Sequence, residues 1–375
     1  MFSRKSTPFT ENSSRVTWTR PRLRHYVNVR IAPSTTYSLE DFRAAKREWS
    51  SRFSLNRPQI PAARALKVAA TPDPAWNIQG VGLGEKLVDG RRTGVMALKF
   101  LVRQKYYEHH IHKDHVLPKS IGGIATDVDE VGMFRCFPVL AATAAGVANP
   151  RTRIRPAQPG CSIGFADPTN SFTMAGTFGA LAKDGNGIYI LSNNHVLADE
   201  GQLSPGAPIF QPGLLDGGNP KTNQIAQLTR FVQLQAGISN QVDCAIAAVD
   251  DPDDVSNSIL QIGPPKGTEE AQIDMTVHKF GRTTGYSVGN ITSVDTDVTV
   301  QYETGNFTFA GQIIITGENG QPFSGAGDSG SLIHARSNGS TPSSCACRES
   351  AASLCKGIPR EPTSSNSFWI RTTRS

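Results

Sequence analysis

A glycine-rich turn followed by an apolar strand is the most informative segment of the chain, and it reads Ser324-Gly325-Ala326-Gly327-Asp328-Ser329-Gly330-Ser331-Leu332-Ile333. Gly327 and Gly330 flank Ser329, and glycine allows the backbone to turn tightly and aim N–H groups at a developing negative charge. A serine hydroxyl is a poor nucleophile until a base takes its proton. The stretch therefore predicts a nucleophile, provided that the chain also supplies a base.

Two earlier segments supply the partners that such a serine needs. His195 stands at the end of the apolar run Leu191-Ser192-Asn193-Asn194-His195-Val196-Leu197, and Asp243 enters another apolar run, Asn240-Gln241-Val242-Asp243-Cys244-Ala245-Ile246-Ala247. An imidazole titrates near neutral pH, so it can accept the serine proton and return it to a leaving group. A buried carboxylate can fix the imidazole tautomer. The three segments together predict nucleophilic catalysis.

In the order His, Asp, Ser, these segments resemble the trypsin/chymotrypsin-like serine peptidases, whose motifs read S/T-x-x-H-V, D-x-A and G-D-S-G. Subtilisins and α/β-hydrolases arrange the same roles in other orders. The resemblance covers roughly residues 158–335. More narrowly, the chain is similar to cytoplasmic members that carry a small α/β module before the barrels. Gly281-Arg282-Thr283-Thr284-Gly285 resembles the strand that opens their second barrel.

The resemblance implies a mainly β fold of two antiparallel barrels, with the site in the cleft between them. It implies that His195 is the general base, Asp243 its orienting carboxylate and Ser329 the nucleophile. The backbone N–H groups of Gly327 and Ser329 would form the oxyanion hole, and Phe323 and Ser324 would line the substrate pocket. The expected reaction is hydrolysis of a peptide bond in a protein or peptide substrate, through an acyl-enzyme, without a metal or organic cofactor.

The chain has 375 residues, with 35 Gly and 24 Pro, which suits a turn-rich, mostly β protein of several domains. No apolar run reaches the length of a membrane helix. We predict a basic arm at 1–75, a small α/β module at 76–145, the peptidase domain at 158–335 and a divergent, disordered tail at 336–375. Short strand-like runs at close spacing in the peptidase region indicate barrels; they lie at 172–182, 187–192, 225–234, 242–249, 275–280, 289–294, 298–302 and 311–316.

The arm holds fourteen Lys and Arg against five Asp and Glu, although the whole chain carries only +6. Composition favours a solvated, partly disordered extension over a nucleic-acid contact. Within it, the segment 38–49 predicts a helix, with Ser38 as N-cap and Asp41 three residues later. The spacing of the six cysteines does not suggest a disulfide framework, and the sequence has no recognisable secretory signal. We therefore expect reduced thiols in a cytosol. An organelle transit peptide at the start of the chain is the alternative.

After Ala335 the resemblance stops, because residues 336–375 are rich in Ser, Arg, Pro and Cys and do not alternate as strands do. The sequence therefore predicts an incomplete second barrel, with a frame-shifted tail as one explanation. A rival function follows, in which the chain is a catalytically silent protease-fold module that is held to a regulatory partner by its N-terminal module and basic arm.

Two other patterns imitate functional sites. Gly160-Cys161-Ser162-Ile163-Gly164 fits the nucleophile-elbow pattern, but no helical pattern follows, so we interpret it as the entry to the first barrel. His109, His110, His112 and His115 lie close together in the sequence without a second ligand cluster. For them we favour an exposed polar segment over a metal site.

Overall fold

A computed structural model of the chain describes residues 29–30, 36–53, 59, 70–136, 149–167, 173–336 and 345–347, and of residues 29–30, 36 and 345–347 only the backbone. Most of the predicted tail and much of the basic arm lie outside these residues, so those two predictions stay untested. No helix in the described part of the chain is long and apolar enough to cross a bilayer.

The helices are short apart from the first. The α-helices are α1 (Leu39–Phe53), α2 (Pro74–Asn77) and α3 (Asn194–Leu197). Short 3-10 helices span Glu108–His110, Lys113–His115, Asp199–Gly201, Leu214–Asp216, Pro252–Asp254 and Glu318–Gly320.

Strands account for most of the regular structure. The strands before residue 150 are β1 (Val29–Arg30), β2 (Thr36–Tyr37), β3 (Ile78–Val88), β4 (Arg91–Val102), β5 (Ser120–Ile121) and β6 (Ile124–Glu130). Those between 150 and 250 are β7 (Ser162–Phe165), β8 (Gly176–Thr177), β9 (Ala180–Asp184), β10 (Gly187–Ser192), β11 (Pro208–Phe210), β12 (Gln224–Phe231), β13 (Ser239–Asn240) and β14 (Ala245–Val249). The remaining strands are β15 (Thr268–Glu269), β16 (Thr276–Gly281), β17 (Gly285–Gln301), β18 (Asn306–Gly317), β19 (His334–Ala335) and β20 (Cys345–Cys347).

The first sheet has seven antiparallel strands in the order β8-β7-β11-β12-β14-β10-β9. Its strands enclose a core of buried aliphatic and aromatic side chains. Cys161 and Ile163 belong to this core, which confirms that residues 160–164 are the entry to the first sheet. The sheet brings the end of β10, which precedes His195, beside the start of β14, which follows Asp243.

The second sheet contains strands from both the module and the peptidase region, in the order β15-β20-β19-β16-β17-β3-β4-β6-β5, with β18 on β17 and β13 on β18. Two sheets therefore occupy the regions where the sequence predicts two barrels, and the predicted mainly β fold is confirmed. The module is attached through β3, which pairs antiparallel with the second half of β17. The domain boundaries themselves stay a prediction.

Local sequence explains two features of the module. The turn between β3 and β4 is Asp89-Gly90, and both residues have positive φ (51° and 72°), as tight hairpins require. The predicted helix is α1, where the Ser38 hydroxyl and the Asp41 carboxylate form the expected capping interaction. Helix α1 extends four residues beyond the predicted end.

Candidate active site

His195 lies in α3, one turn of helix directly after β10, and its side chain is 11% exposed. The position is set by hydrogen bonds from this turn to Asp243. The Asn193 side chain donates to the Asp243 carbonyl at 2.7 Å, and the Asn194 N–H donates to Asp243 Oδ1 at 2.7 Å. The His195 backbone N–H reaches the same oxygen at 3.3 Å. These three hydrogen bonds therefore fix the segment after β10 relative to Asp243.

The His195 ring and the Asp243 carboxylate form a direct pair through Nδ1 and Oδ2. The Tyr302 hydroxyl donates to the same carboxylate oxygen at 2.8 Å, and its ring packs edge-on to the imidazole. Burial opposes the charged carboxylate, but His195 and these hydrogen bonds keep the pKa of Asp243 below its ordinary value. Burial likewise opposes the imidazolium, yet Asp243 and then Cys136 raise the pKa of His195 well above 6.5.

Ser329 lies in the turn 325–331 and lines the same cleft as His195 and Gly327. The Ser329 carbonyl accepts a hydrogen bond from the Thr177 N–H at 2.8 Å, which ties the turn to the first sheet. Within the described residues, the Ser329 hydroxyl forms no hydrogen bond to His195, and the buried Nε2 of His195 has no hydrogen-bond partner. The structure thus joins His195 to Asp243 and brings Ser329 to the same cleft, without a hydrogen bond between the His195 ring and the Ser329 hydroxyl.

The turn around Ser329 needs its two glycines. Gly327 and Gly330 have φ values of 91° and 94°, which favour glycine. A Cβ atom on Gly327 would come within 2.6 Å of the Arg282 guanidinium, and one on Gly330 within 2.1 Å of the Ser192 hydroxyl. Within the described residues, the N–H groups of Gly327 and Ser329 donate no hydrogen bond. They are thus available to the predicted oxyanion, although that role stays a prediction.

A buried ion pair between Lys279 and Asp328 supports the turn that contains Ser329. The Asp328 carboxylate accepts hydrogen bonds from the N–H groups of Thr283, Thr284 and Gly325 and from the Lys279 ammonium, at 2.7 to 3.1 Å. The side chains of Lys279 and Asp328 are 2% and 0% exposed. Burial disfavours the charge on Asp328, but Lys279 and these donors keep its pKa below the ordinary value. Asp328 therefore has an internal cation as its partner and shapes the turn that carries Ser329.

A second buried pair connects the two sheets. The Arg282 guanidinium donates to both oxygens of Asp216, at 2.7 and 2.5 Å, and the Ser162 hydroxyl donates to Asp216 at 2.6 Å. Arg282 follows β16 of the second sheet, whereas Ser162 begins β7 of the first. This bidentate contact holds the turn 282–284, and with it the Asp328 carboxylate, against the first sheet.

The predicted substrate-pocket residues lie apart from this cleft. Phe323 is 8% exposed and packs with Ala271, Val277 and Ile291 in a core cluster of the second sheet, whereas Ser324 is exposed. Besides the residues named above, the cleft wall contains Phe165, Met174, Ala175, Asp199, Glu200 and Glu303. The assignment of Phe323 and Ser324 to the substrate pocket stays a prediction.

One side of the cleft is acidic. Burial, followed by the charges of Glu200 and Glu303, raises the pKa of Asp199 to about 6. Glu200 is itself buried, and its carboxylate accepts hydrogen bonds from the N–H groups of Glu303 and Thr304 at 3.0 and 3.1 Å. These bonds fix the loop after Tyr302 against the segment that follows α3.

The sequence did not indicate Tyr302, Cys136 or Glu200 as site residues. Tyr302 ends a predicted strand run, Cys136 belongs to no motif, and Glu200 follows the His195 segment without a recognisable pattern. His109 and His110 lie in one short 3-10 helix, His115 lies in the next, and His112 is the residue before it; all four side chains are exposed. Cys244, beside Asp243, is fully buried in the core of the first sheet.

The known proteins that this chain resembles share little sequence identity with it. No protein-family model matches the chain. A curated protein, Protein NARROW LEAF 1 from Oryza sativa subsp. japonica, is 25% identical over 280 residues, which cover 68% of this chain and 47% of that protein. The chain thus spans about half the length of this relative.

The similar solved structures are serine proteases. Thermobifida fusca protease A is 19% identical with a TM-score of 0.33, covering 50% of this chain and 78% of the protease. Cellulomonas bogoriensis chymotrypsin is 20% identical with a TM-score of 0.28, covering 42% of this chain and 69% of the chymotrypsin. TM-scores this low assign no activity, so the function has to be inferred from the site itself.

Proposed function

We propose that the chain is a serine peptidase that hydrolyses peptide bonds through an acyl-enzyme on Ser329. The observation that carries the proposal is the fixed pair of His195 and Asp243 in the cleft that Ser329 lines. With Nδ1 bound to Asp243, Nε2 is the ring nitrogen that can accept the serine proton. The proton then passes to the leaving amine, and a water molecule activated by the same nitrogen releases the acyl group.

The remaining groups act on the charge that develops during the reaction. Asp243 stabilises the imidazolium that forms when His195 takes a proton, and Tyr302 holds that carboxylate in place. The N–H groups of Gly327 and Ser329 stabilise the oxyanion of the tetrahedral intermediate, because hydrogen-bond donors fixed in advance need no reorganisation. Protein and peptide chains are the substrates that this chemistry suits.

Fluorophosphonate labelling tests the proposal. We expect the folded full-length chain to be labelled on Ser329 and Ser329→Ala to lose at least about 99% of the labelling, because the probe reports an activated serine. Ser239→Ala, at an exposed serine of β13, is the matched control and keeps the wild-type rate. Labelling that survives in Ser329→Ala would contradict the proposed nucleophile.

One observation favours a second function. Because the Ser329 hydroxyl has no hydrogen bond to His195 within the described residues, a catalytically silent binding module of the same fold is the alternative. In that case the folded chain, with intact near-UV circular dichroism, shows no labelling of Ser329 at any probe concentration that labels an active serine peptidase.

A further inference from the structure

Two peptide groups of the turn 325–331 carry the N–H groups that the proposed mechanism uses. The Ala326–Gly327 peptide carries the Gly327 N–H, and the Asp328–Ser329 peptide carries the Ser329 N–H. Both peptide bonds are trans. A trans peptide is planar, so its N–H and its C=O point in opposite directions. The group that holds each carbonyl therefore sets the direction of the N–H in the same peptide.

A side-chain hydroxyl holds each of these two carbonyls. The Thr283 hydroxyl donates to the Ala326 carbonyl at 2.6 Å, although the two residues are 43 positions apart in the sequence. The Ser331 hydroxyl donates to the Asp328 carbonyl at 2.6 Å, and the Ser331 N–H donates to the same oxygen at 2.9 Å. Both peptide planes are thus fixed from the side opposite to their N–H groups.

The hydrogen bond from Thr283 continues a chain that starts at a buried positive charge. Arg282 Nη1 donates to the Thr283 hydroxyl oxygen at 3.1 Å, and the Arg282 side chain is 1% exposed. The donors therefore run in one direction, from the guanidinium to the hydroxyl and from the hydroxyl to the Ala326 carbonyl. Successive hydrogen bonds polarise one another in a low-dielectric interior, so this chain strengthens the Gly327 N–H as a donor.

Close packing around Gly327 keeps these groups in place. A Cβ atom on Gly327 would lie 2.6 Å from Arg282 Nη1 and 2.7 Å from Thr283 Oγ1. The Thr177 hydroxyl of the first sheet donates to the Gly327 carbonyl at 2.9 Å, so the next peptide of the turn is held as well. The Thr283 N–H donates to Asp328 Oδ1 at 2.7 Å, which ties the residue that supplies the hydroxyl to the same turn.

We propose that Thr283 and Ser331 are positioning residues of the oxyanion hole. Their hydroxyls fix the two peptides so that both N–H groups face the cleft before a substrate binds. Within the described part of the chain, neither N–H donates a hydrogen bond, so both keep their donor capacity for a ligand. Donors oriented in advance stabilise a developing oxyanion without reorganisation. This inference rests on the proposed function, because the charge develops only during the hydrolytic reaction.

The kinetics of fluorophosphonate labelling test the inference on the full-length chain. Thr283→Val keeps the shape of the side chain and the backbone N–H but loses the hydroxyl, and Ser331→Ala removes the second hydroxyl. Each variant should lower the labelling rate constant at saturating probe by about tenfold. The probe concentration that gives half this rate should stay within about twofold of wild type, because the hole acts on charge that develops in the transition state.

A conservative variant and a matched control separate positioning from packing. Thr283→Ser restores the hydroxyl donor and should return the rate constant to within about threefold of wild type. Thr93→Val is the control, because its hydroxyl donates to the Lys86 carbonyl at 2.8 Å in the β3–β4 hairpin, and it should keep the wild-type rate. Near-UV circular dichroism shows whether each variant is folded, and Thr283→Ala replaces Thr283→Val if the latter is not. A wild-type rate constant without the Thr283 hydroxyl, or no recovery in Thr283→Ser, would overturn the inference.

Carbonyl NMR provides a readout that needs no catalysis. With ¹³C-carbonyl alanine and ¹⁵N-glycine, only Ala–Gly peptides give a correlated signal, and Ala326→Ser identifies the Ala326–Gly327 signal by removing it. A hydrogen bond shifts a carbonyl ¹³C signal downfield, so this signal should move upfield in Thr283→Val and stay in place in Thr283→Ser. An unchanged signal in folded Thr283→Val would also overturn the inference. If the wild-type chain is never labelled, the proposed function fails, and the carbonyl signal still decides whether Thr283 holds this peptide.

Discussion

At the residue scale, the Asp243 carboxylate shows how a charged group is kept in a buried site. Its two oxygens receive hydrogen bonds from the Asn194 N–H, the His195 N–H and ring, and the Tyr302 hydroxyl. A buried charge is tolerated only when such partners replace its hydration. Tyr302 supplies the one partner in this set that comes from the second sheet. The orientation of the candidate base therefore depends on contact between the two sheets.

Replacing Tyr302 with Phe tests this dependence. Tyr302→Phe removes a hydrogen bond to a charged group, which should cost about 2 kcal/mol of folding free energy and slow fluorophosphonate labelling roughly tenfold. Urea unfolding and labelling rates measure the two effects. Tyr286→Phe is the control, since its hydroxyl is bonded to His278 instead and its side chain is partly exposed. Equal effects of the two substitutions would contradict the role of Tyr302.

Lys279 illustrates a role that the sequence did not reveal. In the sequence Asp328 stands out only as a member of the turn, yet its carboxylate pairs with the Lys279 ammonium from β16. Lys279 Nζ also donates to the Thr284 hydroxyl at 2.7 Å, and that hydroxyl in turn donates to Asp328 at 2.6 Å. Both charges are buried, so removing either one would leave the other without compensation.

At the scale of elements, ion pairs hold helix α1 against strand β17. Lys46 Nζ lies 3.0 Å from Asp295 Oδ1 and 2.7 Å from Asp297 Oδ1, and its side chain is 7% exposed. Arg43 Nε lies 2.8 Å from Asp295 Oδ2. Part of the positive charge of the arm is thus engaged within the molecule. Binding of nucleic acid by residues 1–75 stays an untested alternative.

Lys46→Met should destabilise the chain by about 3 kcal/mol, because two largely buried carboxylates lose their shared cation. Chemical denaturation monitored by tryptophan fluorescence reports the change. Arg47→Met is matched to it, since Arg47 pairs with Glu40 where both side chains are at least 60% exposed. This control should change stability by less than about 0.5 kcal/mol. Similar losses for both variants would argue against docking by Lys46.

The strand pair β16–β19 contains a buried histidine pair. His278 and His334 are cross-strand neighbours, and His334 is fully buried with neither ring nitrogen bonded within the described residues. Burial and then the neighbouring His278 lower the pKa of His334 to about 4. Burial and then Arg336 lower the pKa of His278 as well, and the Tyr286 hydroxyl is bonded to its Nδ1. Both imidazoles are therefore neutral at neutral pH.

This pair predicts acid sensitivity. An unfolded histidine takes up a proton below about pH 6.5, whereas folded His334 stays neutral down to about pH 4. The unfolded state binds more protons in this window, so stability should fall by about 3 kcal/mol as the pH drops through it. Urea unfolding at pH 7 and pH 4.5 measures the loss. His334→Leu should reduce it, and the exposed His112→Gln should not; an unchanged loss in His334→Leu would refute the assignment.

At the scale of the whole molecule, the second sheet depends on the N-terminal module. Strand β3 pairs with the second half of β17, from Ser293↔Gly84 to Val298↔Gly80. The approach is close, since a Cβ on Gly82 would meet the Thr296 hydroxyl at 2.2 Å. Glycines in β3 thus let the two backbones approach. Without the module, this edge of β17 would expose unpaired backbone groups.

Truncation tests whether the module is dispensable. A chain that lacks residues 1–130 loses β1 to β6, and we expect it to be insoluble or to lack near-UV circular dichroism, because the β17 edge is left unpaired. A chain that lacks only residues 1–35 keeps α1, β3 and β4 and should unfold like the full-length protein. A soluble, cooperatively folding fragment 131–375 would contradict this expectation, because it would show that these residues fold without the module.

Elements that depend mainly on residues adjacent in the chain can be predicted from the sequence. The capped helix α1, the Asp89-Gly90 hairpin and the strand β10 are of this kind, because capping, turn and strand propensities act between neighbouring residues. The sequence predicts one strand at 172–182, whereas the structure has two strands there, β8 and the start of β9. The two predicted runs 289–294 and 298–302 are largely one long strand, β17, whose irregular pairing with β18 and β3 hides the alternation.

The amino-acid order is enough to predict the mainly β fold and to single out His195, Asp243 and Ser329 as candidates, because nucleophile, base and carboxylate chemistry requires particular side chains in recognisable local contexts. The side chains that surround these three residues are known from the folded structure alone. Tyr302, Lys279 and Cys136 reach the site through sheet pairing between distant segments. Their roles depend on distances across the fold, and no local pattern encodes such distances.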